Sequence, residues 1–286
     1  MNSGRIYVAA AITAGIMCIA AMLGVLSAAI YAEDESNDRF LGLMYHQVLK
    51  DESRSGKYII TPDELEGDLK YLSDNGYVSL LPSELARIRK NGEKLPEKTV
   101  VITFDDGYET GLYYVLPLLK KYGMKAVINI VGSYTDEYSE IDEEGKHLSY
   151  AYLTWSEIKE LSDSGYVEIG NHTYNMHSNI GERNGCAKKP GESEEEYRKA
   201  LYDDISSLSD KLEKVTGVRP VSFAYPFGAL SDGSAEVIEG IGTEVFMTCC
   251  ELPCSMNQNG RIVINRYNRG SGRAVWQICE EYSNAL

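Results

Sequence analysis

Positive charge is in short supply in this chain. Its 286 residues carry 28 Lys and Arg against 43 Asp and Glu, a formal net charge of −15. All of the acids, and every cation except Arg5, fall after residue 32. Such a surface makes nucleic acid and anionic lipid poor partners and suits a neutral or cationic substrate. Histidine is scarcer still, at four residues. Internal repeats are absent, and so is low complexity beyond the first 38 residues, which argues against solenoid and fibrous architectures. The cysteines do not form a zinc signature, because Cys249-Cys250-x3-Cys254 has no metal-site spacing. Past the N-terminal segment there are five of them, Cys186, Cys249, Cys250, Cys254 and Cys279. An odd count leaves at least one thiol unpaired within the chain, although disulfides are permitted outside the cell.

One long apolar run is present. Ile6 to Ala32 is 27 residues without a charge, preceded by Arg5 and followed by Glu33-Asp34-Glu35. Its length suits an N-terminal membrane anchor, and its Ile30-Tyr31-Ala32 end suits signal-peptide cleavage. Either way the charge distribution sends the rest of the chain out of the cytoplasm, secreted or anchored to the outer face of the membrane. The expected organisation is a signal peptide or anchor over residues 1–32, an acidic linker over 33–38, and one domain over 39–286. The only expected contact with membrane is through that first segment.

Strand and helix signals alternate through the domain. Phe40 to Leu49, Thr99 to Phe104, Ala126 to Val131, Tyr166 to Gly170, Val221 to Tyr225, Glu244 to Thr248 and Ile262 to Tyr267 read as strands. Helices fall between them. One opens on a Thr61-Glu64 capping box, and another opens on Ser193-Glu196 and stops at Gly217. Regular alternation implies parallel strands with crossover helices, and about seven such units imply a closed or nearly closed α/β barrel. In that architecture the chemistry sits just after the strands.

Three polar clusters obey that rule. TFDDG, Thr103 to Gly107, places Asp105 and Asp106 together at a strand end. It reads as a turn with a helix cap, or as two carboxylates dividing cation binding from proton transfer. NHTYNMH, Asn171 to His177, holds two histidines five positions apart. Helix and strand both send such a pair apart, so the rings converge only if the backbone turns between them. If they converge, His172, His177 and one carboxylate make a three-ligand site for Zn²⁺ or a similar ion; otherwise one ring packs and the other is exposed. FAYPFG, Phe223 to Gly228, is either an ordinary turn or a rigid one that presents an aromatic wall and a backbone N–H.

TFDDG, a His-Thr…His element and a Tyr-Pro-x-Gly turn, in this order on alternating strands, resemble the polysaccharide deacetylases with a NodB homology domain, carbohydrate esterase family 4. The likeness spans roughly residues 40 to 270. LMYHQV, Leu43 to Val48, and the five-residue histidine spacing resemble the branch that acts on extracellular poly-N-acetylglucosamine. The resemblance implies a distorted (β/α)7 barrel. It implies metal binding by Asp106, His172 and His177, with Zn first and Co, Ni or Mn compatible with the same ligands. It implies Asp105 as general base, Thr173 as support for the metal loop, and an oxyanion contact from the Tyr225 N–H. Tyr225, Pro226 and Phe227 then form part of the substrate wall.

The sequence departs from that family in two places. Ala224 stands where many members carry an Arg aimed at the base, and no histidine follows His177 to protonate the leaving amine. His46, at the end of the first strand, is the candidate for that acid, with a packed or supporting ring as its other reading. His147 lies in a polar stretch and reads as exposed. The expected activity is metal-dependent hydrolysis of N-acetyl groups on an extracellular N-acetylglucosamine polymer, exopolysaccharide or peptidoglycan. The alternatives are a glycan-binding protein of the same fold with impaired chemistry and an esterase for O-acetyl groups.

Overall fold

A computed structural model describes residues 38–141, 147–256 and 260–286. The apolar run and nearly all of the acidic linker lie outside the described residues. Among those residues, no helix is long and apolar enough to cross a membrane.

The expected first strand divides in two. β1 (Arg39–Tyr45) enters the main sheet, while β2 (Gln47–Val48) pairs instead with β3 (Ile59–Ile60), leaving His46 at the break. α1 (Pro62–Asp74) opens on the expected capping box. Thr61 Oγ1 accepts from Glu64 N at 3.1 Å and Glu64 accepts from Thr61 N at 2.9 Å. β4 (Val78–Ser79) and α2 (Pro82–Asn91) follow, then β5 (Thr99–Phe104). A π turn over Gly111–Val115 leads into α3 (Leu116–Tyr122), where Pro117 sits in the first turn. Next come β6 (Ala126–Ile130), α4 (Gly132–Glu140), α5 (Trp155–Asp163) and β7 (Val167–Asn171). α6 (Glu194–Thr216) runs from the Ser193 capping box to Gly217, whose left-handed conformation ends it. β8 (Ser222–Ala224), α7 (Ser234–Glu239), β9 (Val245–Met247), β10 (Cys254–Ser255), β11 (Ile262–Ile264), β12 (Tyr267–Asn268) and α8 (Val275–Ala285) complete the chain.

The sheet closes on itself. Around the ring the order is β1, β5, β6, β7, β8, β9, β11 and β10, which returns to β1. All of these pairs are parallel except the two made by β10, so the barrel is a distorted version of the expected α/β barrel. β10 is two residues long, below what sequence periodicity can reveal. β4 and β12 attach outside the ring.

Alternation along each strand sorts side chains between two apolar layers. Val100, Ile102 and Phe104 join the layer shared with the helices. Val101, Val127, Ala224, Val245, Met247 and Ile264 fill the barrel interior, which Leu85, Ala86 and Ile88 of α2 help to close. The same alternation continued past Val101 and Thr103 puts Asp105 on the interior face. Gly170 of β7 keeps room there for Asn129, because a Cβ at this position would meet the Asn129 amide oxygen at 2.1 Å.

Candidate metal centre and active site

Three loops leave the carboxyl ends of β5, β7 and β8, and each bends sharply. Among the described residues four non-glycine positions have positive φ, and three are in these loops: Asp106 (74°), Thr173 (73°) and Phe227 (59°). Left-handed backbone at non-glycine residues costs on the order of 1–3 kcal/mol each and persists where surrounding bonds enforce it.

Those bonds are explicit in the β7 loop. Asn171 Oδ1 accepts from Thr173 N at 2.8 Å, while its Nδ2 donates to Ile205 O and Ser209 Oγ on α6. Asp204, also on α6, accepts from Tyr174 N and Asn175 N, each at 2.8 Å. Thr173 Oγ1 then accepts from Met176 N. The five-residue spacing therefore resolves into a clamped turn that brings the His172 and His177 ring centroids to 4.9 Å.

Asp106 completes the triad. Its Oδ1 lies 3.1 Å from His177 Nε2 and 3.6 Å from His172 Nε2. One ligand atom from each of the three residues falls within 4.8 Å of the others. His172 Nδ1 lies 2.8 Å from the Ala224 carbonyl, so the proton resides on Nδ1 and the Nε2 lone pair faces Asp106. Two imidazoles and one carboxylate, with an outer carbonyl fixing one tautomer, are a donor set suited to a zinc-like divalent ion.

Asp105 faces inward beside the triad. Arg266 grips it with both guanidinium nitrogens, Nη1 to Oδ1 at 2.7 Å and Nη2 to Oδ2 at 2.8 Å. Asn129 Nδ2 adds a third bond to Oδ1 at 2.7 Å. Arg266 is fully buried, and its remaining donors reach Thr103 Oγ1 and Thr248 O. Burial pushes the Asp105 carboxyl up, and the Arg266 charge more than reverses this, so the group stays ionised.

These residues border one cavity of about 580 Å³, with His46, Asp105, Asp106, His172, His177 and Phe227 in its wall. His46 Nδ1 is buried without a hydrogen-bond partner, and its ring packs 4.7 Å from Tyr58. Burial lowers the His46 pKa, opposed by the charges of Asp105 and Asp106. Phe227 lies against the His177 ring at 4.8 Å and is 46% exposed, as a wall residue requires.

The structure corrects two expectations. The Tyr225 N–H donates to Met247 O at 3.1 Å in the β8–β9 pairing, so it is not aimed at the cavity. The Tyr225 and Pro226 side chains are buried rather than lining it, and the Tyr225 hydroxyl lies 3.3 Å from Ser234 Oγ. They shape the turn that presents Phe227. All five cysteines described are free thiols, and Cys249 is in the cavity wall.

Sequence reasoning missed Arg266, Asn129 and Asp204. Arg266 follows the strand Ile262–Ile264 by two residues and so meets the strand-end rule, but nothing in the linear sequence pairs it with Asp105. Asn129 was the one polar residue in an otherwise apolar strand. Asp204 is one acid among many on α6 and carried no local signal.

The family model described as polysaccharide deacetylase matches residues 92–246. The chain is 27% identical over 227 residues to the Escherichia coli (strain K12) protein named poly-beta-1,6-N-acetyl-D-glucosamine N-deacetylase. That alignment covers 73% of this chain and 34% of the relative, so the chain spans about a third of that protein's length. It is 31% identical over 231 residues to YxkH of Bacillus subtilis (strain 168), a polysaccharide deacetylase by name, covering 80% of this chain and 71% of that one. A solved de-N-acetylase structure from Aggregatibacter actinomycetemcomitans superposes with a TM-score of 0.73 at 27% identity, over 87% of this chain and all of that one.

Proposed function

The chain belongs to the polysaccharide deacetylase family, and from that premise we propose that it hydrolyses N-acetyl groups on an extracellular N-acetylglucosamine polymer. The observation that carries this reading is the convergence of Asp106, His172 and His177 beside an ionised, Arg-held Asp105 in one cavity. The names of the Escherichia coli and Aggregatibacter proteins support an N-acetylated substrate. The apolar run at residues 6–32 supports an extracytoplasmic location, and residues 39–286 are proposed as one catalytic domain.

Asp106, His172 and His177 would hold one divalent cation, zinc by preference. When bound, such an ion polarises the amide carbonyl and acidifies a water. Asp105 lines the same cavity as the triad and is kept ionised by Arg266, and this position assigns it the general-base role. Its two oxygens are fixed by Arg266 and Asn129, so no rotamer search precedes proton transfer. Thr173 keeps His172 and His177 in register through the turn it occupies. Phe227 gives the sugar an apolar wall. His46 borders the same cavity with an open ring nitrogen and is assigned delivery of a proton to the leaving amine.

The glycan-binding alternative drew on the missing Arg and terminal His. Arg266 holds Asp105 from another strand end and His46 lines the same cavity, and both observations support the enzyme reading.

The test is acetate release from an N-acetylglucosamine oligomer. Release should vanish with chelator, return with added Zn²⁺, and fall by at least about 10³-fold in Asp106→Ala. His46→Ala should lower kcat by roughly 10²-fold or more with metal content unchanged. Full turnover in chelator would end the metal reading, and wild-type turnover in His46→Ala would end the role given to His46.

A further inference from the structure

We infer that four tyrosines beside the metal triad form a sugar-stacking subsite for the units next to the one being deacetylated. The inference rests on the polymer reading above and goes past it in assigning where the polymer lies. Tyr108 follows the Asp105-Asp106-Gly107 loop and lines the cavity. It is bridged by backbone to Tyr152, and the two rings stack at 4.8 Å with 21° between their planes. Tyr134 and Tyr138 stand on α4 and meet the Tyr152 ring at 4.5 Å and 5.4 Å. Tyr134 also contacts the His177 ring edge at 5.9 Å. The rings therefore form a continuous path from the triad to Tyr138, which lies one helical turn, about 5.4 Å, beyond Tyr134.

Two features separate this group from ordinary packing. All four tyrosines are only partly buried, and none belongs to the three apolar clusters of the described residues. Tyr152 packs the other three together, and the partly open rings of Tyr134 and Tyr138 beside the reaction cavity suit pyranose rings, which offer C–H faces to stack and hydroxyls for the phenolic tips. Glu137, exposed on α4 beside Tyr134 and Tyr138, adds a hydrogen-bond acceptor along the same path. A chain long enough to run from the triad to Tyr138 gains a stacking contact that a shorter oligomer lacks.

The experiment compares kcat/KM for acetate release on N-acetylglucosamine hexamer and dimer. Tyr138→Ala should lower the hexamer-to-dimer ratio about tenfold, the size of a lost aromatic stacking contact. Tyr138→Phe, which keeps the ring, should retain most of the ratio. Tyr202→Ala, an exposed tyrosine on α6, serves as control. Hexamer binding by calorimetry in the presence of chelator gives a second readout that does not depend on turnover, and Tyr138→Ala should weaken it by a similar factor. Absence of acetate release by the wild type overturns the deacetylase reading and leaves the calorimetry to decide the subsite. Unchanged length dependence and unchanged hexamer affinity in a folded Tyr138→Ala variant overturn the subsite itself.

Discussion

A buried guanidinium carries a desolvation cost of several kcal/mol, and Arg266 offsets it with a two-pronged grip on Asp105 and bonds to Thr103 and Thr248. The pair is held inside the barrel rather than exposed to water. Removing one partner leaves the other as a lone buried charge. Arg266→Met is therefore expected to lower stability by about 3–5 kcal/mol and to let the Asp105 pKa rise as burial goes unopposed. Arg266→Lys keeps the charge but loses the fork, so the protein should stay folded while kcat falls roughly 10–100-fold through a misoriented base. Thermal melting and steady-state acetate release on both variants check this. Wild-type kcat in a folded Arg266→Lys would show that base orientation does not depend on the fork. The pair joins residues 161 positions apart. That separation explains why Asp105 was legible in TFDDG while its partner was not: strand-end placement marks a chemical residue, but no linear pattern tells which distant cation it meets.

At the scale of elements, the long ones were readable because their signals are long. β5, β6 and α6 follow β-branched runs, helical apolar spacing and capping boxes, and the structure has them at or within two residues of the expected bounds. The two-residue strands β4 and β10 hold too few positions for any period to show. The misassigned Tyr225 N–H has a related cause. Whether a strand-end donor is free depends on how far the next strand runs, and β9 extends to Met247, whose carbonyl takes it. The β7 loop shows an element acting at a distance. α6 presents Asn171's acceptors and Asp204, and Asp204 holds two consecutive N–H groups of the β7 loop. Asp204→Ala releases both while leaving the ligands in place. Metal titration should show affinity reduced about 10–100-fold, the range seen for outer contacts of metal ligands, with Asp204→Asn between the variant and wild type. Unaltered metal affinity in Asp204→Ala would mean that Thr173 and Asn171 suffice to hold the turn.

Over the whole molecule, the net charge of −15 meets a reaction that changes the charge of its substrate. On the proposed reading, a neutral N-acetylglucosamine chain enters and a chain bearing amines leaves, and those amines are largely protonated at neutral pH. The barrel mouth carries Asp105, Asp106 and Glu251 in its wall, offset in part by Lys57 beside them, by Arg266 on Asp105 and by Arg273 on Glu251. A divalent cation at Asp106 offsets part of that local charge, but the acidic surface beyond it remains. Product is therefore attracted more strongly than substrate, and the difference is electrostatic and screened by salt. Glucosamine oligomers should act as inhibitors at low ionic strength, with an inhibition constant that rises several-fold as salt is added, while KM for the acetylated oligomer changes little. Inhibition assays across a salt series check this. An inhibition constant independent of salt would mean that product is held by stacking and hydrogen bonds alone. A salt-dependent one would mean that turnover on a long polymer slows as deacetylation proceeds, because each amine made strengthens the grip on the chain that carries it.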